Sequence, residues 1–257
     1  MKQVLQPIDS GATRIVEIPA PICGPREVLI ANEASLISAG TEKMIIDLAR
    51  MSLLAKARER PDQVRRVLQK LSQEGVRDTI QQVRSKLADP MSLGYSSAGV
   101  VIEVGREVRQ FRLGDRVASN GPHAGIVAVS QNLVARIPSG VSFQEGCYGV
   151  VGAIALQGVR LAKVSVGDRV AVIGLGLIGQ ITVMLLRASG CIVIGTDLDE
   201  TKCQLARESG AEAGLQAEFV STILARTDGH GADAVLITAS TPGNGRPIEP
   251  GRISIEA

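Results

Sequence analysis

The sequence predicts an α/β plus β fold: a β-rich first domain carrying a helical insert, then a partial doubly wound parallel sheet. Three observations carry this reading. Residues 1–42 and 92–145 are turn-rich and hold short β-branched runs, among them TRIVEI, VLIANEASLIS, AGVVIEV, GIVAV and LVARIP, which is the grammar of an antiparallel domain. Residues 43–90 lack such runs and instead space apolar residues helically: Val64, Val67, Leu68 and Leu71, then Val76, Ile80, Val83 and Leu87. From about residue 147 the pattern becomes strand–helix–strand: RVAVIG, a helix from Leu177 to about Ser189, CIVIGTD, a helix from about Glu200, then ADAVLITAS.

The predicted divisions are therefore 1–146 for the first domain, with its insert at about 43–90, 147–240 for the second, and 241–257 as an irregular tail. Pro61, Gly75 and Pro90 punctuate the insert into about three short helices. Its Lys and Arg outnumber its acids, but no aromatic residues are interleaved to stack bases, so it reads as a solvated helix face and not as a nucleic-acid surface. Apolar residues make up 45% of the chain and aromatics only 2%, so the core must be aliphatic and packed with Ala and Gly. The net charge of +2 argues against a general polyanion binder. Four cysteines lie scattered without a C-x-x-C pair, which fits a reducing compartment better than a disulfide framework. No apolar run reaches the roughly 18 residues of a membrane span. With no signal-like N-terminus, the chain is expected to be cytoplasmic and to bind neither membrane nor nucleic acid.

The chemistry sits in VAVIGLGLIGQ, residues 170–180. Gly174, Gly176 and Gly179 form G-x-G-x-x-G between a strand and a helix. Gly174 allows the tight turn, Gly176 lets the backbone approach a pyrophosphate, and Gly179 lets helix and strand pack closely. Leu177 and Ile178 open the helix, whose free N–H groups and positive dipole end suit phosphates. Asp197 ends the next strand 18 residues after Gly179, where it can accept hydrogen bonds from an adenosine ribose diol. A carboxylate there repels a 2′-phosphate, so the motif favours NAD over NADP.

Three stretches carry a resemblance. GREVRQFRLGDRVA (105–118), SVGDRVAVIGLGLIGQ (165–180) and GADAVLITAS (231–240) look like the medium-chain dehydrogenase/reductase superfamily, which includes the zinc alcohol dehydrogenases. The resemblance implies a GroES-like β-barrel catalytic domain followed by a Rossmann domain, and a hydride-transferring oxidoreductase acting on a small-molecule alcohol or carbonyl. Homodimers occur among full-length relatives. The run LISAGTEKMIIDLARMSLLAKARERPDQVRRVL, with LGYSSAG and VGAIALQGVRLA, further resembles the dehydrogenase half of bacterial bi-domain oxidoreductases, which implies sugar-type substrates.

The zinc pattern of that superfamily is broken here. The positions matching its catalytic ligands hold Ala39, Tyr95 and Val151, and Ser96 stands where the Glu of Gly-His-Glu would be. The zone matching the four-Cys structural lobe contains no cysteine. Zinc needs Cys, His or carboxylate ligands, so neither a catalytic nor a structural zinc is expected. Thr41 matches the superfamily's proton-relay hydroxyl. Tyr95 faces two readings: a phenol that hydrogen-bonds a developing alkoxide, or a packed barrel tyrosine. Glu42 and Ser96 are expected to hydrogen-bond within the vacated pocket or to play structural parts. Cys147 reads as core, His123 as a loop or pocket-rim residue without a chemical role, and His230 as a turn residue.

The tail TPGNGRPIEPGRISIEA holds three prolines, each costing about 3 kcal/mol inside a helix, and cannot continue a strand–helix alternation. The expectation is a C-terminally truncated product with its last dozen or so residues out of register. Two alternatives to a dehydrogenase stay open: a quinone or enoyl reductase, which also dispenses with zinc, and a non-catalytic remnant that binds nucleotide weakly or not at all.

Overall fold

A computed structural model describes residues 1–7, 12–50, 90–215 and 219–239 of the chain. The chain divides after Val150 into two compact units.

The first unit is antiparallel. Strands β1 (Lys2–Gln6), β2 (Arg14–Glu17) and β4 (Met91–Ser92) form one sheet in the order β2-β1-β4. A second sheet runs β7-β3-β5-β6-β8, built from β3 (Glu27–Ser35), β5 (Ser97–Val104), β6 (Arg116–Ser119), β7 (Ile126–Ser130) and β8 (Val134–Arg136). In β3 the register places Val28 opposite Val104 and Ser35 opposite Ser97. Val28, Ile30, Val101, Val117, Val127 and Val129 point inward with Phe111 and form the core of this unit. Each fully buried aliphatic side chain contributes about 2 kcal/mol of burial, so the core stands without aromatic bulk. Helix α1 (Ala39–Arg50) leaves the end of β3, starting four residues before the predicted insert. The remainder of that insert, residues 51–89, lies outside the described residues.

Two short helices close this part of the chain: α2 (Phe143–Gly146) and α3 (Gly149–Ala162). Ser142 caps α2, its hydroxyl accepting from the Glu145 N–H while Glu145 reaches back to the Ser142 N–H.

The second unit alternates strand and helix. Strands β9 (Arg169–Ile173), β10 (Ile192–Asp197), β11 (Glu212–Leu215) and β12 (Ala234–Ile237) pair in parallel in the order β11-β10-β9-β12. Helices α4 (Leu177–Ala188), α5 (Glu200–Glu208) and α6 (Phe219–Arg226) connect them. The first strand in sequence is thus central, as a doubly wound sheet requires. Val170, Val172, Leu175, Val183, Leu186, Val193, Cys203 and Ala206 bury one face. Ala171, Ile194 and Phe219 bury the other. The central strands β9 and β10 are buried along most of their length, which is why they read as continuous apolar runs. The predicted tail at 241–257 falls outside the described residues.

The repeated Gly-Asp-Arg-Val is a repeated turn. Asp115 accepts from the Arg112 N–H at 2.9 Å and Asp168 from the Ser165 N–H at 2.6 Å, so in both units the aspartate closes the bend that launches a strand. None of the described helices is long and apolar enough to cross a membrane.

Candidate functional site

The glycine-rich turn lies between β9 and α4. Gly174 adopts φ +92°, a conformation that disfavours L side chains. Gly179, one turn into α4, packs so tightly that a Cβ would stand 2.0 Å from the Gly174 carbonyl oxygen. Gly176 differs from both: a Cβ there would meet nothing within 4 Å, so the space above this residue is open. Gly176 is also the N-cap of α4, and no side chain caps that end or adds an acid to its first turn. The N–H groups of Leu177 and Ile178 are therefore presented at the positive end of a 12-residue helix, beside open space. These residues fit a dinucleotide pyrophosphate.

Asp197 stands at the end of β10, and its carboxylate is already engaged. Oδ2 accepts from the Leu175 N–H at 2.8 Å, and Oδ1 from the Asp199 N–H at 3.0 Å and the Lys202 ammonium at 3.4 Å. Burial alone would raise its pKa, but the Leu175 and Asp199 N–H groups and the Lys202 charge outweigh it and hold the carboxyl below the ordinary aspartate value. Asp197 thus staples the end of β10 to the glycine turn, with about one lone pair left for a ribose hydroxyl. Because the folded-state pKa is depressed, the staple stabilises the fold fully above the unfolded value, about 4. The contribution fades as pH falls through the lower folded value. Asp197→Ala is expected to cost about 2 kcal/mol near neutrality. Urea titrations of both proteins should show the gap closing in acid. A gap that persists undiminished at low pH would contradict the staple.

Sequence reasoning missed two residues that complete this site. Gln180 donates to the Leu175 carbonyl at 2.9 Å and the Lys202 carbonyl at 2.8 Å, tying the turn to α5. Thr238 donates its hydroxyl to the Gly174 carbonyl. Gln180 follows the motif directly, so a polar residue on an otherwise apolar helix start was the available signal. Thr238 had none.

In the first unit the candidates gather around the start of α1. Thr41 and Glu42 lie in its first turn, and Ala39 begins it. Tyr95 donates its hydroxyl to Ser38 Oγ at 2.8 Å. Glu42 Oε1 accepts from the Ser38 N–H at 2.8 Å, and Glu42 Oε2 lies 3.0 Å from His123 Nε2. His123 Nδ1 lies 2.9 Å from Ser35 Oγ. The His123 and Glu42 side chains are only 10% and 7% exposed. His123, expected as a loop or pocket-rim residue without a chemical role, thus lies in its loop with a largely buried and hydrogen-bonded ring. Its backbone joins Leu93 and Val4, and its ring packs on Gly94, where a Cβ would come within 2.6 Å. Gly94, at φ +88°, is therefore what lets His123 turn inward.

Ser96 donates to the Cys147 carbonyl at 2.5 Å, a structural bond. Cys147 packs with Ala98 and Ile137, and burial raises its thiol pKa, so it behaves as core and not as a nucleophile. Val151 is fully buried, and His230 lies in an exposed turn. Zinc does not fit these residues: Ala39 and Val151 offer no ligand atom, and the Tyr95 hydroxyl, Glu42 and His123 are turned to protein partners. Among the described residues no group of three His, Cys, Asp or Glu side chains could hold a metal.

Comparison with known proteins agrees with this architecture. Residues 72–139 match the family "Alcohol dehydrogenase GroES-like domain", and residues 178–244 match "Zinc-binding dehydrogenase". An antiparallel GroES-like domain followed by a parallel Rossmann-like sheet decides the assignment. The chain has the medium-chain dehydrogenase/reductase fold.

D-guloside 3-dehydrogenase of Escherichia coli K12 is 36% identical over 155 residues, covering 57% of this chain and 44% of that protein. (R,R)-butanediol dehydrogenase of Bacillus subtilis is 27% identical over 184 residues, covering 60% of this chain and 53% of that protein. The chain thus spans about half the length of the curated relatives it matches. Among solved structures, an alcohol dehydrogenase from Thermus sp. ATN1 superposes with a TM-score of 0.72 at 17% identity, over 94% of this chain and 71% of that one. Galactitol-1-phosphate dehydrogenase of Escherichia coli gives 0.71 at 19% identity, over 93% and 69%. At such identities these likenesses speak for the fold alone.

Proposed function

We propose that this chain is the dehydrogenase part of an NAD-linked, zinc-independent oxidoreductase acting on an alcohol or carbonyl of sugar or polyol type. The observation that carries the reading is the glycine turn, with open space over Gly176 and the uncapped start of α4 beside Asp197. Gly176, Leu177 and Ile178 would hold the pyrophosphate through backbone N–H groups. The remaining acceptor site of Asp197 would take a ribose hydroxyl and disfavour a 2′-phosphate. A bound nicotinamide supplies the hydride acceptor or donor; the protein supplies position and electrostatics. The substrate class is supported by the kinship with D-guloside 3-dehydrogenase.

Without a metal ligand at position 95, polarisation of a carbonyl falls to a hydroxyl. Tyr95 donates today to Ser38 and can donate to an alkoxide oxygen in its place. Tyr95→Phe is expected to lower kcat about 100-fold in an assay of nicotinamide absorbance with a panel of sugar alcohols. An unchanged kcat would remove Tyr95 from the chemistry. The Tyr at a metal-ligand position also favours a second reading, a quinone or enoyl reductase. The same panel extended to quinones and enones distinguishes the two, since a polyol dehydrogenase turns over only the alcohols and their ketones.

A further inference from the structure

Three side chains of the first unit stand in a row that hydride transfer does not use. Ser35 Oγ lies 2.9 Å from His123 Nδ1, and His123 Nε2 lies 3.0 Å from Glu42 Oε2. They come from the end of β3, the loop before β7 and the first turn of α1, so the fold and no local motif brings them together. Burial is graded along the row. The Glu42 and His123 side chains are nearly inaccessible, whereas Ser35 is exposed. Glu42 accepts at Oε1 from the Ser38 N–H and faces the imidazole with Oε2. A carboxylate can only accept, so a neutral His123 carries its ring proton on Nε2. Nδ1 then keeps its lone pair and accepts from the Ser35 hydroxyl. The order is acid, imidazole, hydroxyl, with the hydroxyl at the open end.

That order is the one that makes a weak hydroxyl nucleophilic. The imidazole takes the hydroxyl proton, and the buried carboxylate orients the ring and balances the imidazolium. In serine proteases the acid stands at Nδ1 and the hydroxyl at Nε2. Here the two nitrogens exchange places, and the proton still moves from hydroxyl to ring. Ser35 and His123 also line a cavity of about 310 Å³. Its wall is mostly apolar, with Val4, Ile15, Ala34 and Ala124, and belongs entirely to the first unit. Such a wall suits an apolar acyl chain laid beside the serine. Lys2 adds an ammonium to the same wall, a charge that favours a developing oxyanion.

We propose that Ser35, His123 and Glu42 form a nucleophilic centre that hydrolyses esters of short apolar acyl chains. Ser35 Oγ bonds to the ester carbonyl carbon while its proton passes to His123 Nδ1, and the C=O electron pair moves onto the oxygen. The carbonyl re-forms as the bond to the alcohol oxygen breaks, and the alcohol leaves with the proton from Nδ1. Water then attacks the acyl group on Ser35 by the same sequence, releasing the acid and restoring the hydroxyl. Nothing is oxidised or reduced, so the activity needs no nucleotide and stands apart from the dehydrogenase reading. Ser35 is the nucleophile and His123 the general base; Glu42 is a positioning residue that acts through the ring.

The test uses the whole chain without nucleotide. A decyl fluorophosphonate should lose fluoride and leave its phosphonyl group on Ser35, placed there by peptide mass spectrometry. The protein should also hydrolyse p-nitrophenyl butyrate with saturation. Ser35→Ala alters an exposed side chain and should melt like the parent, yet lose the label and about 100-fold or more of kcat/KM. His123→Gln should lower kcat about 100-fold. Glu42→Gln should lower kcat and slow the labelling of Ser35 while KM stays within about twofold, the split expected of a residue that acts on the nucleophile and not on binding. A wild-type protein left unlabelled at Ser35 overturns the proposal, as does ester hydrolysis that survives Ser35→Ala or is unchanged in His123→Gln.

Discussion

Gly179→Ala is expected to unfold most of the second unit's binding face. The new methyl would lie 2.0 Å from the Gly174 carbonyl oxygen and 2.9 Å from Thr238 Oγ1. The first neighbour is backbone, fixed by a glycine at φ +92°, and cannot swing aside. Either α4 lifts from β9 or the turn is rebuilt. Both break the contacts of Val183 and Leu186 with Val170 and Val172 in the core. Overpacking of this severity costs about 3 kcal/mol or more, which lowers the melting temperature of such a unit by roughly 10 °C. Nucleotide binding should be lost with it. Thermal denaturation followed by circular dichroism checks the effect, and a variant as stable as the parent would show that helix and strand are not in this contact.

Glu42→Ala should be the most damaging change in the first unit. It leaves the Ser38 N–H and the His123 ring facing an empty, buried space. Each stranded donor costs about 1–3 kcal/mol, so a loss of about 3 kcal/mol is expected in urea denaturation. Glu42→Gln keeps an acceptor oxygen and should recover part of that loss. If Glu42→Ala and Glu42→Gln are equally stable, the carboxylate is not holding Ser38 and His123 together. The same substitution should also disturb Tyr95, because Ser38 is the residue that Tyr95 and Glu42 share. With no tryptophan and only Tyr95 and Tyr148 in the chain, tyrosine near-ultraviolet signals report that disturbance directly.

The two units differ in how much of them could be read from the sequence. The second was readable because its determinants are local. VAVIGLGLIGQ fixes strand, turn and helix within eleven residues, and the Gly-Asp-Arg-Val turn before it closes over three residues. Short elements escaped notice: β1 (KQVLQ) and β11 (EAGL) are too short and too mixed to show a period, and only their sheet partners define them. Helix α1 begins at Ala39, within the stretch 1–42 that the sequence pattern assigns to strands and turns. Asp197 was found for its spacing, but its bonds to Leu175 and Lys202 depend on how β10 meets the turn.

His123 shows where sequence reading ends. Its neighbours SNGP and AG are those of a surface loop, and its partners Ser35 and Glu42 are more than 80 residues away. Nothing local distinguishes it from His230, which lies exposed in a turn. Gly94 offered a signal in hindsight, since a glycine before Tyr95 is the space that the imidazole fills.

The central claim is that the glycine turn, α4 and Asp197 make an NAD-type dinucleotide site. Titration of the protein with NADH and NADPH, followed by nicotinamide fluorescence, tests it most directly, with Gly176→Ala as the paired variant. Its added methyl strikes no protein atom but occupies the open space over the turn. Saturable NADH binding is expected, with weaker NADPH binding and a Gly176→Ala protein that melts like the parent yet has lost the fluorescence change. Equal or tighter binding of NADPH, or NADH binding that survives the methyl at position 176, would contradict it.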